Sequence, residues 1–112
     1  MKKDDLVYVR HISDAVKKII DYTTGMGKKE FISSNKTQDA VIRQFEIIGE
    51  ATKQLSKAFR DKHSDVPWKK LAGLRDKLIH DYMGVDTLAI WKSVEMEVPD
   101  LQYQIKKIIE NQ

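Results

Sequence analysis

A chain of 112 residues, 41% hydrophobic and 33% charged, has the length of one domain and the composition of a soluble globular protein, not a disordered one. Twenty basic residues against 17 acidic ones leave a net charge of +3 and a pI near 9.0, which permits an anionic partner without demanding one. Cysteine is absent, which excludes a disulfide framework, a thiolate zinc site and a cysteine nucleophile. The opening MKKDDLVYVR lacks an apolar signal core, and no apolar run approaches the ~20 residues of a membrane span. A cytoplasmic protein without a membrane partner is expected.

The first helix follows from Leu6, Val9, Ser13, Val16 and Ile20, which step by three and four, with Ile12 and Ile19 widening the stripe. It should end near Gly25-Met26-Gly27, where glycine can take the left-handed C-terminal position. Lys28 to Ile32 reads as a short helical turn, and Ser33-Ser34-Asn35 as a loop with capping side chains. A second helix is expected from about Thr37 to Arg60. Val41, Phe45, Ile48, Leu55 and Phe59 form its seam, with Ala40, Ile47, Ala51 and Ala58 beside it. Its other side carries Arg43, Glu46, Glu50, Lys53 and Lys57, spaced for pairing along a solvated face.

Pro67 suits the first position of a third helix, expected to reach Met83 and stop at Gly84. Asp86 can cap a fourth, which points Leu88, Trp91 and Val94 inward. Beyond Pro99, Leu101, Ile105, Ile108 and Ile109 mark either a kinked continuation or a separate last helix. No stretch alternates with period two, so no sheet is expected. The whole of 1–112 reads as a single all-α domain, an up-and-down bundle of four or five helices.

On a helical wheel for the third helix, Trp68, Leu71, Ala72, Leu78, Ile79 and Tyr82 form the apolar stripe, and Arg75 lies at its centre. A buried unpaired charge is costly, so the guanidinium requires a partner, a wet cleft or an anionic ligand. His80 lies about 140° from Arg75 on a straight helix. To bring both to one point, the helix must deform, the cleft must be wide, or a second subunit must supply half the site. Asp76, at i,i+4 from His80, can hold the imidazole by a hydrogen bond. Each residue also has a plainer reading. Arg75 can make a structural ion pair, His80 can answer a helix dipole, and Tyr82 can be a core aromatic with its hydroxyl at the rim. His11 and His63 have no partners at metal-ligand spacing and read as surface residues. No Gly-rich phosphate loop, nucleophile elbow or HExxH is present, so no cofactor or metal is expected.

Arg75-x4-His80-x-Tyr82 resembles the RX4HXY motif of HepT-like toxins in the HEPN superfamily. The likeness extends to FISSNKTQDAVIRQFEIIGEATKQLS at 31–56 and VPWKKLAGLRDKLIHDYMGVD at 66–86, and less tightly to IWKSVEMEVPDLQYQI. The resemblance implies a dimerising helical bundle and a metal-independent endoribonuclease, with its site in a cleft between subunits. It assigns Arg75 to the scissile phosphate and His80 to general acid/base catalysis. It also implies a type VII (HEPN/MNT) toxin–antitoxin pair acting on tRNA or mRNA. There a minimal nucleotidyltransferase antitoxin transfers AMP to the tyrosine, here Tyr82, and blocks the groove. Asp76 departs from the family's usual asparagine: its carboxylate can pair with His80 but also repels phosphate. The contrasting reading is a non-catalytic helical module that binds a partner or a nucleotide, with Arg75 as its cation.

Overall fold

The computed structural model describes residues 3–74, 77, 79–80 and 84–112, with side chains at 5–74, 77 and 86–112. Its three long helices are α1 (Lys3–Thr23), α3 (Asn35–Gln54) and α6 (Thr87–Glu110); the short ones are α2 (Lys28–Ile32), α4 (Lys57–Lys62) and α5 (Trp68–Ala72). The fold is an all-α bundle. Two extended dipeptides are the exception among the described residues: β1 (Ile79–His80) pairs antiparallel with β2 (Gly84–Val85). The molecule measures 42 × 30 × 19 Å, so its thin dimension is about two helix diameters. No helix among the described residues is long and apolar enough to cross a membrane.

Val9, Ile12, Val16 and Ile19 of α1 are fully buried, whereas Leu6, Ser13 and Ile20 are half-buried. The inward face is therefore centred on the line of Ile12 and Ile19 rather than that of Ser13 and Ile20. Thr23 and Thr24 Oγ1 donate to the carbonyls of Ile19 and Ile20 at 2.8 and 2.7 Å, satisfying acceptors that a helix end leaves open. Gly25 then turns the chain at φ 78°, as its position predicted.

In α2, Phe31 is fully buried and its ring lies 5.2 Å from that of Trp91 in α6. The buried Gln38 amide donates to the carbonyls of Phe31 and Ile32 at 2.9 Å each. One side chain of α3 thereby finishes α2. Ser34 caps α3, its Oγ accepting from Thr37 N at 3.2 Å.

The helix expected over 37–60 is two helices. α3 ends at Gln54, Leu55 is extended at φ −67°, ψ 140°, and α4 starts after Ser56. The cause is Asp5, a buried carboxylate of α1. It accepts from Ser56 N and from Ser56 Oγ, both at 2.8 Å. Ser56 Oγ in turn accepts from Phe59 N at 3.1 Å. The break costs backbone bonds within the helix and replaces them with charge-assisted ones. It also sets the beginning of α1 beside the end of α3, so the two run antiparallel. Ala58, expected beside the inner seam, is exposed on the separate α4.

Of the two readings left open at Pro99, continuation is the one observed: a single helix, α6, has Pro99 inside it. Asp86 caps it by accepting from Ala89 N at 3.0 Å. Trp91, Val94, Leu101, Ile105 and Ile108 are buried, but Leu88 is 57% exposed. The inner face of α6 begins at Ile90, about 200° round the helix from Leu88.

Candidate active site

The segment from Pro67 to Asp86 is held from both sides. On one side α5 presses against α3 at Gly49. A Cβ at that position would meet the backbone carbonyls of Leu71 and Ala72 at 3.4 Å, the near limit of ordinary contact, so the two backbones pack closely here. Trp68, Leu71 and Leu74 are buried, and Trp68 Nε1 donates to the His63 carbonyl at 2.9 Å. On the other side, the Asp86 cap fixes the chain's entry into α6.

Helix-type bonding continues past α5: Gly73 N donates to Lys69 O at 3.3 Å and Lys77 N to Gly73 O at 3.1 Å. The chain is then extended at Ile79–His80, with Ile79 opposite Val85 and His80 opposite Gly84. The expectation of one helix reaching Met83 is therefore corrected. β-Branched Ile79 and Val85 favour extended backbone, and the extended approach to the Asp86 cap supplies a strand for them to pair with. The 140° separation of Arg75 and His80, drawn on a straight helix, does not apply: regular helix has ended by His80. The described backbone thus departs from the straight helix before His80.

Arg75, Asp76 and Tyr82 lie outside the described residues, as does the side chain of His80. The side chain of Lys77, between Arg75 and His80 in sequence, is described. Glu97 of α6, 22% exposed at its side chain, receives Lys70 Nζ at 3.5 Å and Lys77 Nζ at 3.6 Å on one oxygen, Oε1. Buried Ser93 donates to the same oxygen at 3.2 Å. Glu97 Oε2 is buried and has no hydrogen-bond partner among the described residues. The carboxylate thus ties α6 to α5 and to Lys77, which stands between Arg75 and His80 in sequence. Sequence reasoning missed Glu97. The signal was present, since it lies between the apolar positions Val94 and Val98 of one helix face.

His63 also differs from its expected surface placement. It is half-buried, its ring 4.5 Å from that of Phe59 and its Nε2 buried without a partner among the described residues. Burial, and then the neighbouring Lys62 ammonium, lower its pKa below the ordinary value; Asp65 opposes the shift. Among the described residues no group of three His, Asp or Glu is placed to hold a metal ion.

Residues 12–108, which include the whole of Arg75 to Tyr82, match the family described as Ribonuclease HepT-like. The chain belongs to the HepT-like ribonuclease family. It is similar to "Probable ribonuclease HepT" of Thermococcus cleftensis, 40% identical over 96% of this chain and 98% of that one. It is likewise similar to a protein named "Putative RNase" from Caldanaerobacter subterraneus subsp. tengcongensis, 43% identical over 94% of each chain. A protein of the same printed description from Methanocaldococcus jannaschii is 46% identical over 98% of this chain and 91% of its own. No solved structure gives a significant match. The HepT-like assignment makes the chain an enzyme of the ribonuclease class, and it agrees with the motif read from Arg75, His80 and Tyr82.

Proposed function

We propose that this HepT-like chain is the toxin of a toxin–antitoxin pair, a cytoplasmic endoribonuclease that cuts tRNA or mRNA without a metal ion. The observation that carries the reading is the family match over residues 12–108, with the RX4HXY pattern intact at Arg75, His80 and Tyr82. In this reading His80 takes the proton of a ribose 2′-hydroxyl, or gives one to the departing 5′-oxygen. The 2′-oxygen bonds to phosphorus as the bond from phosphorus to the 5′-oxygen breaks. A 2′,3′-cyclic phosphate and a 5′-hydroxyl result. The Arg75 guanidinium stabilises the charge that gathers on the phosphate oxygens. Asp76 supports His80 by favouring imidazolium. Purified protein is expected to cut RNA in the presence of a chelator. Arg75→Ala and His80→Ala should each lose cutting while keeping the helical far-UV spectrum. Full cutting by the His80 variant would remove it from the chemistry; retained partner capture with no cutting by wild type would favour the binding-module reading.

The working unit in this reading is a homodimer or larger assembly whose paired motif segments form one groove. Supporting it is an uncovered apolar line on α6: Leu88, Met96 and Tyr103 are all exposed, at steps of eight and seven residues that return to nearly one face. The partner is a minimal nucleotidyltransferase that transfers AMP from ATP to the Tyr82 hydroxyl, releasing pyrophosphate. A phosphodiester beside the groove repels the RNA backbone. Co-expression with an active nucleotidyltransferase should add the mass of AMP to wild type and none to Tyr82→Phe. An unmodified wild-type chain would end that part of the proposal.

A further inference from the structure

A second cationic feature lies outside the motif. Between α4 and the start of α5 runs an open groove of about 710 Å³. Lys57 and Arg60 come to it from α4, Lys69 and Lys70 from α5, and among the described residues the one carboxylate in its lining is Asp61. Four cations against one anion give this small surface a charge of +3, equal to the formal net charge of the whole chain. Trp68 also lines the groove, only 6% exposed, its indole fixed by the bond to the His63 carbonyl.

The cations are not neutralised alike. Lys57 is held by Asp61 at 2.7 Å and Lys70 by Glu97 at 3.5 Å. Arg60 and Lys69 have no carboxylate within ion-pair distance among the described residues. Arg60 Nε is buried and has no hydrogen-bond acceptor among the described residues. A buried donor without an acceptor is unfavourable, and an anion entering the groove gives the guanidinium one.

The groove is also continuous with the motif. Lys70 at its edge and Lys77 inside the motif reach the same Glu97 oxygen, at 3.5 and 3.6 Å. Cations thus run from Arg60 and Lys69 through Lys70 to Lys77, between Arg75 and His80 in sequence. A ligand whose negative charge repeats along its length fits such a track. Its lining includes no Asn or Gln, the amide side chains suited to bidentate recognition of a base edge.

We propose that the α4–α5 groove binds the ribose-phosphate backbone of the RNA on one side of the bond to be cut, without reading its sequence. The proposal rests on the ribonuclease reading for its substrate but not for its test. Continuity with the motif favours a nucleic-acid backbone over an acidic protein segment.

The test uses a short single-stranded oligonucleotide with 2′-O-methyl groups, which cannot undergo attack by a 2′-hydroxyl, so binding is read apart from cutting. Fluorescence anisotropy is followed across a salt series for wild type, for Arg60→Gln/Lys69→Gln, and for Lys17→Gln/Lys18→Gln on α1 as a control. The groove variant should bind about tenfold more weakly. Its plot of log affinity against log salt should flatten by about 1.4, the loss of two single-strand phosphate contacts. Lys69→Gln alone, which removes an exposed side chain, should give half that change in slope if the double variant folds poorly. Equal affinity and slope in the groove variant and wild type would overturn the proposal, as would an equal loss in the α1 control. Displacement by poly-glutamate with no groove-dependent RNA binding would overturn it in favour of an acidic protein. Groove-dependent binding by a wild type that never cuts RNA would uphold the groove and sink the ribonuclease reading.

Discussion

Asp5 of α1 and Glu97 of α6 are carboxylates that each tie their helix to a neighbouring segment, and they are satisfied in different ways. Asp5 has one 2.8 Å hydrogen bond to each oxygen, both from Ser56. Glu97 gathers two ammonium groups and a hydroxyl on one oxygen at 3.2 to 3.6 Å, while its other oxygen is buried with no partner among the described residues. The first arrangement is closed: it fixes where α3 stops and where α1 begins, and it has no capacity left for a ligand. The second is unfinished and adjoins the motif. Short, complete pairing marks a structural polar site; the long, shared pairing at Glu97 leaves its second oxygen as an acceptor that a further donor can fill.

Breaking the closed site should have the largest effect on folding. Asp5→Ala removes two charge-assisted hydrogen bonds and leaves the Ser56 N–H without its acceptor, at a cost of about 3 kcal/mol. Urea unfolding would show the loss, while RNA cutting per folded molecule should stay near wild type. A stable Asp5→Ala protein would mean that the α3–α4 break is set by something other than this pair.

Glu97→Gln should do the opposite. It keeps an acceptor for Ser93 and removes the charge that gathers Lys70 and Lys77. Stability should change by less than about 1 kcal/mol, since the lost ion pairs are long and partly exposed. On the ribonuclease reading, kcat should fall about tenfold with KM little changed, because misplacing a catalytic segment slows chemistry more than binding. Wild-type kcat in the variant would remove Glu97 from the positioning of the motif.

The smallest effect belongs to His63. Its pKa lies below the ordinary 6.5 because burial disfavours imidazolium. The unfolded chain therefore takes up the proton first as pH falls. His63 disfavours folding progressively from about pH 6.5 downward and has no such effect above it. His63→Gln should flatten that part of the stability profile. An unchanged slope between neutral and mildly acidic pH would contradict the assignment.

The three long helices were legible because their apolar residues recur at helical spacing, and the Gly25, Ser34 and Asp86 boundaries because each has a local chemical cause. What escaped the sequence depends on distant residues. The break at Leu55–Ser56 requires Asp5, 51 positions away. Gly49 gives no hint that the carbonyls of Leu71 and Ala72 lie over it. The departure from helix at Ile79 follows from pairing with Val85, which a wheel cannot represent. Pro99 left two readings open because burial on both sides of it, at Val98 and Leu101, is what keeps α6 whole. At the site, Arg75, His80 and Tyr82 acquired chemical meaning from resemblance, since periodicity alone allowed a structural ion pair, a helix-end histidine and a core aromatic. Glu97 was visible as an acid among apolar positions but had no assigned partner until Lys70 and Lys77 were placed beside it.

The central claim is that this HepT-like chain cuts RNA through Arg75 and His80. Its most direct test is the chemistry of the ends produced when purified protein acts on RNA in the presence of a chelator. The account predicts a 2′,3′-cyclic phosphate and a 5′-hydroxyl from wild type, with cutting reduced by about 10²- to 10⁴-fold in His80→Ala and lost in Arg75→Ala, both variants remaining folded. Ends bearing a 5′-phosphate, or cutting that persists undiminished in both variants, would contradict it.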